Sequence, residues 1–125
     1  MSPKRGDRVA PPAGPGDWEV RFADNDAARG WEELCQQAPG NTLDAWTTMR
    51  RNPIPVVQSP RQQRLKHNLA SRTMKGQALD HWQLEVTGSG RVWYLVDRDK
   101  ATIWIDYAGP GHPRATALRV PAERA

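Results

Sequence analysis

Trp18, Val20 and Phe22 alternate with Glu19 and Arg21 in "WEVRFAD", the period of two expected of a strand with one buried face. From Asp24 the period lengthens. "DNDAARGWEELCQQAPG" opens on acidic capping residues, carries Ala28, Trp31, Leu34 or Cys35, and Ala38 at helical spacing, and ends at Pro-Gly. Gly30 works against this helix by about 1 kcal/mol of propensity. "NTLDAWTTMRRN" predicts a second helix with Asn41 or Thr42 as N-cap, an apolar line of Leu43, Trp46 and Met49, and Arg50 and Arg51 at the negative end of the helix dipole before Pro53. "PIPVVQSP" is too proline-rich for an interior strand and reads as an extended connector. Three alternating runs come next, "HWQLEVT", "RVWYLVD" and "ATIWIDYA", separated by "GSG" and "RD". The order is β-α-α-β-β-β, an α+β fold in which an antiparallel sheet carries two helices on one face. Residues 1–16 combine Pro, Gly and charge with almost nothing to bury and read as a disordered arm, leaving one domain at 17–125.

Hairpin arithmetic then divides the side chains. With "GSG" as a three-residue loop, Thr87 pairs with Arg91, Glu85 with Trp93 and Leu84 with Tyr94; with "RD" as the next turn, Trp93 pairs with Trp104 and Arg91 with Asp106. Trp82, Leu84, Val86, Val92, Tyr94, Val96, Ile103, Ile105 and Tyr107 share the face that the helices cover. Gln83, Glu85, Thr87, Arg91, Trp93, Leu95, Thr102, Trp104 and Asp106 share the other. Two indoles beside an arginine and two carboxylates suit a ligand with phosphates and flat rings, and single-stranded RNA has both. The same residues equally suit a packed Trp93–Trp104 pair with Arg91 and Asp106 as an ordinary surface ion pair.

Charge and cysteine content narrow the setting. Lys and Arg outnumber Asp and Glu by 18 to 14, which favours an anionic partner. Arg61, Arg64, Lys66, Arg72 and Lys75 cluster before the sheet, either as a solvated loop or as a phosphate-holding patch with salt-dependent binding. His67 reads as a surface residue, and His81 as a solvated strand end. With a single cysteine, Cys35, there is neither an internal disulfide nor a cysteine cage for metal, as expected of a reducing cytosol. The basic N-terminus lacks the apolar segment of a signal peptide, and no run approaches a membrane span, so the expectation is a cytoplasmic protein with no membrane partner.

"RLKHNL", a strand with a polar stripe, "GSGRVWYLVD" and "IWIDYAGPGHPRAT" in that order resemble the RelE/ParE superfamily of toxins from bacterial type II toxin–antitoxin pairs, and "LKHNL" is similar to the YoeB branch. The resemblance runs from about Trp18 to Thr116. It implies a RelE-like fold and a metal-independent endoribonuclease, without cofactor, that cleaves mRNA on the ribosome and is neutralised by a cognate antitoxin. Such chemistry activates a ribose 2′-hydroxyl against the adjacent phosphate, and needs a base, cations for the phosphorane and an acid for the leaving oxygen. Arg91 matches the family's phosphate-stabilising arginine. Lys66 and Arg64 match the basic motif before the sheet, while His112 and Arg114 fall where the family keeps a late histidine or basic residue. Gln83 and Glu85 stand where RelE has lysines, and Gln63 where YoeB has its glutamate, so Glu85 is the candidate base, or else a structural partner of Arg91. Catalysis is thus assigned to Arg91, Glu85, His112 and Lys66, and RNA binding to Arg64, Arg114, Trp93, Trp104, Gln83 and Lys75. Two alternatives remain open: a ParE-like inhibitor of DNA gyrase, and a non-catalytic RNA-binding relative.

Overall fold

The computed structural model of the protein describes residues 3–9 and 11–111. The elements are β1 (Glu19–Phe22), α1 (Asn25–Gln37), α2 (Pro39–Arg51), β2 (Gln62–Arg64), a 3-10 turn (His67–Leu69), β3 (Ser71–Met74), β4 (Gln77–Glu85), β5 (Arg91–Asp97) and β6 (Thr102–Gly109). The fold is α+β, with both helices on one face of a mostly antiparallel sheet. Asp24 caps α1 by accepting from the Ala27 N–H at 2.8 Å. The helices meet at Ala38, which ends one and begins the other. "Pro-Gly", expected to break the chain, instead starts α2: Pro39 occupies the first helical position, where its missing N–H costs nothing. Thr42, expected as an N-cap, lies within the first turn and donates to the Leu34 carbonyl at 3.0 Å, closing the end of α1. The buried line of α2 is Thr42, Ala45, Met49 and Arg50 rather than the expected Leu43, Trp46 and Met49, and Leu43 is 59% exposed.

The sheet order is β1-β6-β5-β4-β2, and β3 also pairs with β4. β2 meets Trp82 to Leu84, and β3 meets Gln77 to Asp80, so both short strands share one edge of β4. β1 runs parallel to β6, against the expectation of a wholly antiparallel sheet, because the helical hairpin carries the chain back over the sheet before it pairs. Both hairpin registers differ from expectation by two residues: Glu85 faces Arg91 and Gln83 faces Trp93, while Leu95 faces Trp104. The second turn spans residues 98–101 rather than two residues, with Ala101 in the left-handed region at φ 47°. A bulge at Trp93/Tyr94 places Ile105 opposite Tyr94 and Tyr107 opposite Trp93. Beyond it Tyr107 leaves the helix-covered face and Ala108 joins the core.

That core joins Val20, Phe22, Trp31, Leu34, Met49, Trp82, Tyr94 and Ile105 between sheet and helices. Leu79, Leu95 and Trp104 form a smaller cluster with Ala23 and Met74. The Tyr94 hydroxyl donates to the Pro53 carbonyl at 2.7 Å and accepts from Gln62 at 2.9 Å, so the buried phenol ties the connector and β2 to the core, and burial pushes its pKa well above the usual range. The N-terminal segment read as a disordered arm lies along β1. Val9 is 5% exposed, and its N–H donates to the Val20 carbonyl at 2.7 Å, as that of Gly6 does to Phe22 at 2.8 Å.

Candidate functional site

Rows of side chains cross the sheet on the face away from the helices. Arg61 stands one step beyond the Gln62 and Leu84 pair; its carbonyl accepts from the Glu85 N–H at 2.7 Å, and Glu85 faces Arg91. Arg61, Glu85 and Arg91 are therefore successive positions of one row. The next row holds Gln63, Gln83, Trp93 and Tyr107. In the third, the Leu65 N–H donates to the His81 carbonyl at 2.9 Å, and His81 faces Leu95, which faces Trp104.

The first row sets a half-buried carboxylate between an exposed arginine and a buried one. Arg91 is 9% exposed, and its Nη1 donates to the carbonyls of Gly90 at 2.8 Å and Thr87 at 3.0 Å. Its positive charge is thereby fixed at the β4–β5 turn. A cation held in place costs no reorganisation when negative charge develops beside it, and a carboxylate between two cations is a candidate proton acceptor next to a phosphate site.

The indoles do other work. Trp93 Nε1 donates to Gln83 Oε1 at 2.9 Å, and the ring meets His81 edge-on at 5.2 Å and Tyr107 at 6.0 Å. Trp93 is 4% exposed and Trp104 9%, so neither offers an open face for a base, and they do not face one another across the strands. Lys75 sits over the Trp104 ring at 5.5 Å. The expected stacking platform is replaced by packed aromatic rings, and the indole N–H of Trp93 is spent on Gln83.

His81 is the residue whose importance the strand pattern hides. Its Nδ1 faces the Leu69 carbonyl at 2.9 Å and its Nε2 faces the Asp106 carboxylate at 2.8–2.9 Å, while Arg72 donates to the same carboxylate at 3.1 Å. Both ring nitrogens are thus engaged within the protein. The His81 and Asp106 side chains are 4% and 3% exposed, against 42% for Arg72. Asp24 lies close by. Burial is the main cause holding its carboxyl above the usual range, with the Asp106 charge adding, while the Ala27 N–H and the Arg72 and Arg29 guanidinium groups act in the opposite sense. The clue was parity: His81 and Gln83 are two apart on one strand and so share the face that carries Asp106.

Of the remaining predicted residues, Arg64 turns inward, donating to the Ala70 carbonyl at 2.9 Å and pairing with Asp80 at 3.5 Å. These bonds brace the basic loop. Lys66 and His67 are exposed on that loop, with His67 at φ 58°. His112 and Arg114 lie outside the described residues. Among those described, no group of His, Cys, Asp and Glu is placed to hold a metal ion, and no helix is long and apolar enough to cross a membrane.

On the helical side, Val9, Pro11, Trp31, Cys35, Leu43 and Trp46 line an apolar groove of about 240 Å³. Burial pushes the Cys35 thiol up, with Glu32 adding to the effect. Compared with known proteins, the chain matches no family model, no curated protein and no solved structure.

Proposed function

We propose that the protein is the toxin of a type II toxin–antitoxin pair with a RelE-like fold, a metal-independent endoribonuclease acting on ribosome-bound mRNA. The observation that carries the reading is the row Arg61, Glu85, Arg91, with Lys66 exposed further along the same edge in the loop after β2. In this reading Glu85 takes the proton of a ribose 2′-hydroxyl. Arg91 is the fixed charge that stabilises the phosphorane, Arg61 meets the phosphate from the open side, and Lys66 and Arg72 hold the flanking backbone. His112 is the proposed acid for the leaving oxygen, and Arg114 a further phosphate contact. The exposed cations Arg61 and Lys66 on either side of β2, with Arg72 on β3, suit an acidic segment of an antitoxin as the inhibitory partner.

A second reading has its own support. The groove between the N-terminal segment and the helices, with Leu43 at its edge, suits a protein-directed toxin of the ParE kind that inhibits gyrase and cleaves nothing.

Induced expression of wild type and Glu85→Gln in a bacterial host, with mapping of RNA 5′ ends and of plasmid supercoiling, separates the two. The ribonuclease reading expects new 5′ ends inside coding sequences for wild type and their loss in the variant at equal protein level. Growth arrest with intact mRNA and altered supercoiling overturns it in favour of the second.

A further inference from the structure

Three hydrogen bonds tie the basic segment Leu65 to Ala70 to one residue, His81. The His81 carbonyl accepts from the Leu65 N–H at 2.9 Å where the loop begins, the His81 N–H donates to the Ala70 carbonyl at 3.0 Å where it ends, and His81 Nδ1 bonds the Leu69 carbonyl at 2.9 Å between them. The ring's other nitrogen holds Asp106, which holds Arg72 at 3.1 Å on β3. His81 thus joins the segment bearing Lys66 and the strand bearing Arg72 to β6, through two bonds from a single imidazole. The segment needs such a hold. It contains a non-glycine residue in the left-handed region, His67, and among the described residues its only regular structure is one 3-10 turn.

We propose that His81, through Asp106, is a positioning residue for RNA: it fixes Lys66 and Arg72 so that both contact phosphates of one strand at once. His81 touches no substrate. Both ring nitrogens are committed within the protein, so its effect reaches RNA only through the two cations. The inference rests on the RNA-directed reading, and the salt dependence of binding separates the two.

A short single-stranded RNA is titrated with wild type, His81→Asn and Asp106→Asn across a range of salt concentrations. Each phosphate contact to a single strand contributes about 0.7 to the slope of log K against log salt, whatever the fraction of folded protein. Loss of two contacts lowers the slope by about 1.4 in either variant. Lys66→Gln lowers it by about 0.7 in wild type and leaves it unchanged in the His81→Asn background, because that contact is already gone. Hydrogen exchange at the Leu69 and Ala70 amides quickens in His81→Asn, while amides of α1 and β6 keep their protection. Asp106→Asn preserves the shape of its side chain and provides the second route should His81→Asn not fold. If wild type binds with a salt-dependent slope that the variants retain, the positioning role is wrong and the RNA-directed reading stands. If wild type shows no salt-dependent binding, the RNA-directed reading falls, and this inference with it.

Discussion

An ideal Cβ added at Gly30 would lie 1.6 Å from the Ala108 carbonyl oxygen. The residue that weakens the helix pattern is therefore where α1 lies directly against the backbone of β6. Gly30→Ala gains about 1 kcal/mol of helix propensity but forces helix and strand apart, and a net loss of about 2 kcal/mol is expected, read by urea denaturation. Chemistry at this scale was only partly legible. Glu85 and Arg91 share a face by parity, as expected, since a two-residue error in register leaves every side chain on its own side. His81 escapes a sequence reading because its partners Leu69 and Asp106 come from two separate stretches of chain, and no local pattern reports such a meeting. Trp93 and Trp104 mislead for the opposite reason: large rings in an alternating run do not disclose what covers them.

Among the elements, α1 and the three long strands were legible because each carries an unbroken apolar period. The strands β2 and β3, of three and four residues, were not, since their burial patterns contain no buried position and their pairing depends on the extra length of β4. The cap of α1 gives a test with a sign. Asp24 bonds the Ala27 N–H, but its carboxyl is held above the ordinary 3.8, chiefly by burial. A raised acid contributes stability that is full below its unfolded pKa and is lost as pH rises through the folded value. At pH 7 Asp24→Asn, which keeps the cap without the charge, is expected to be at least as stable as wild type, whereas Asp24→Ala loses about 1 kcal/mol. As pH falls toward 3.8, wild type gains on Asp24→Asn. Urea denaturation of the three proteins at about pH 7 and about pH 4 reads both effects.

For the molecule as a whole, composition misjudged the N-terminal segment. Proline and glycine without an apolar run suggested a free arm, yet Val9 is buried against the core, and Arg50 fastens the neighbouring stretch by pairing with Asp17 at 3.1 Å and donating to the Pro12 carbonyl at 2.8 Å. Arg8 pairs with Glu19, and Arg21 donates to the Gly6 carbonyl at 2.9 Å. Deleting residues 1–9 is expected to cost about 2 kcal/mol, the worth of one buried valine, and to uncover the outer edge of β1. Light scattering against protein concentration checks the second effect, and a denaturation midpoint the first.

The parallel pairing of β1 with β6 also orders events in time. Glu19 waits for Thr102, and Phe22 for Ile105, whereas β4, β5 and β6 close through short turns. Loop closure over so long a stretch is slow, so the three-stranded meander forms first and β1 docks late, bringing the helices with it. On the ribosome, a nascent chain that has not yet exposed Ile105 holds the apolar sides of α1 and α2 without a sheet to cover them. Synthesis of the last strand therefore decides when these apolar sides can be buried.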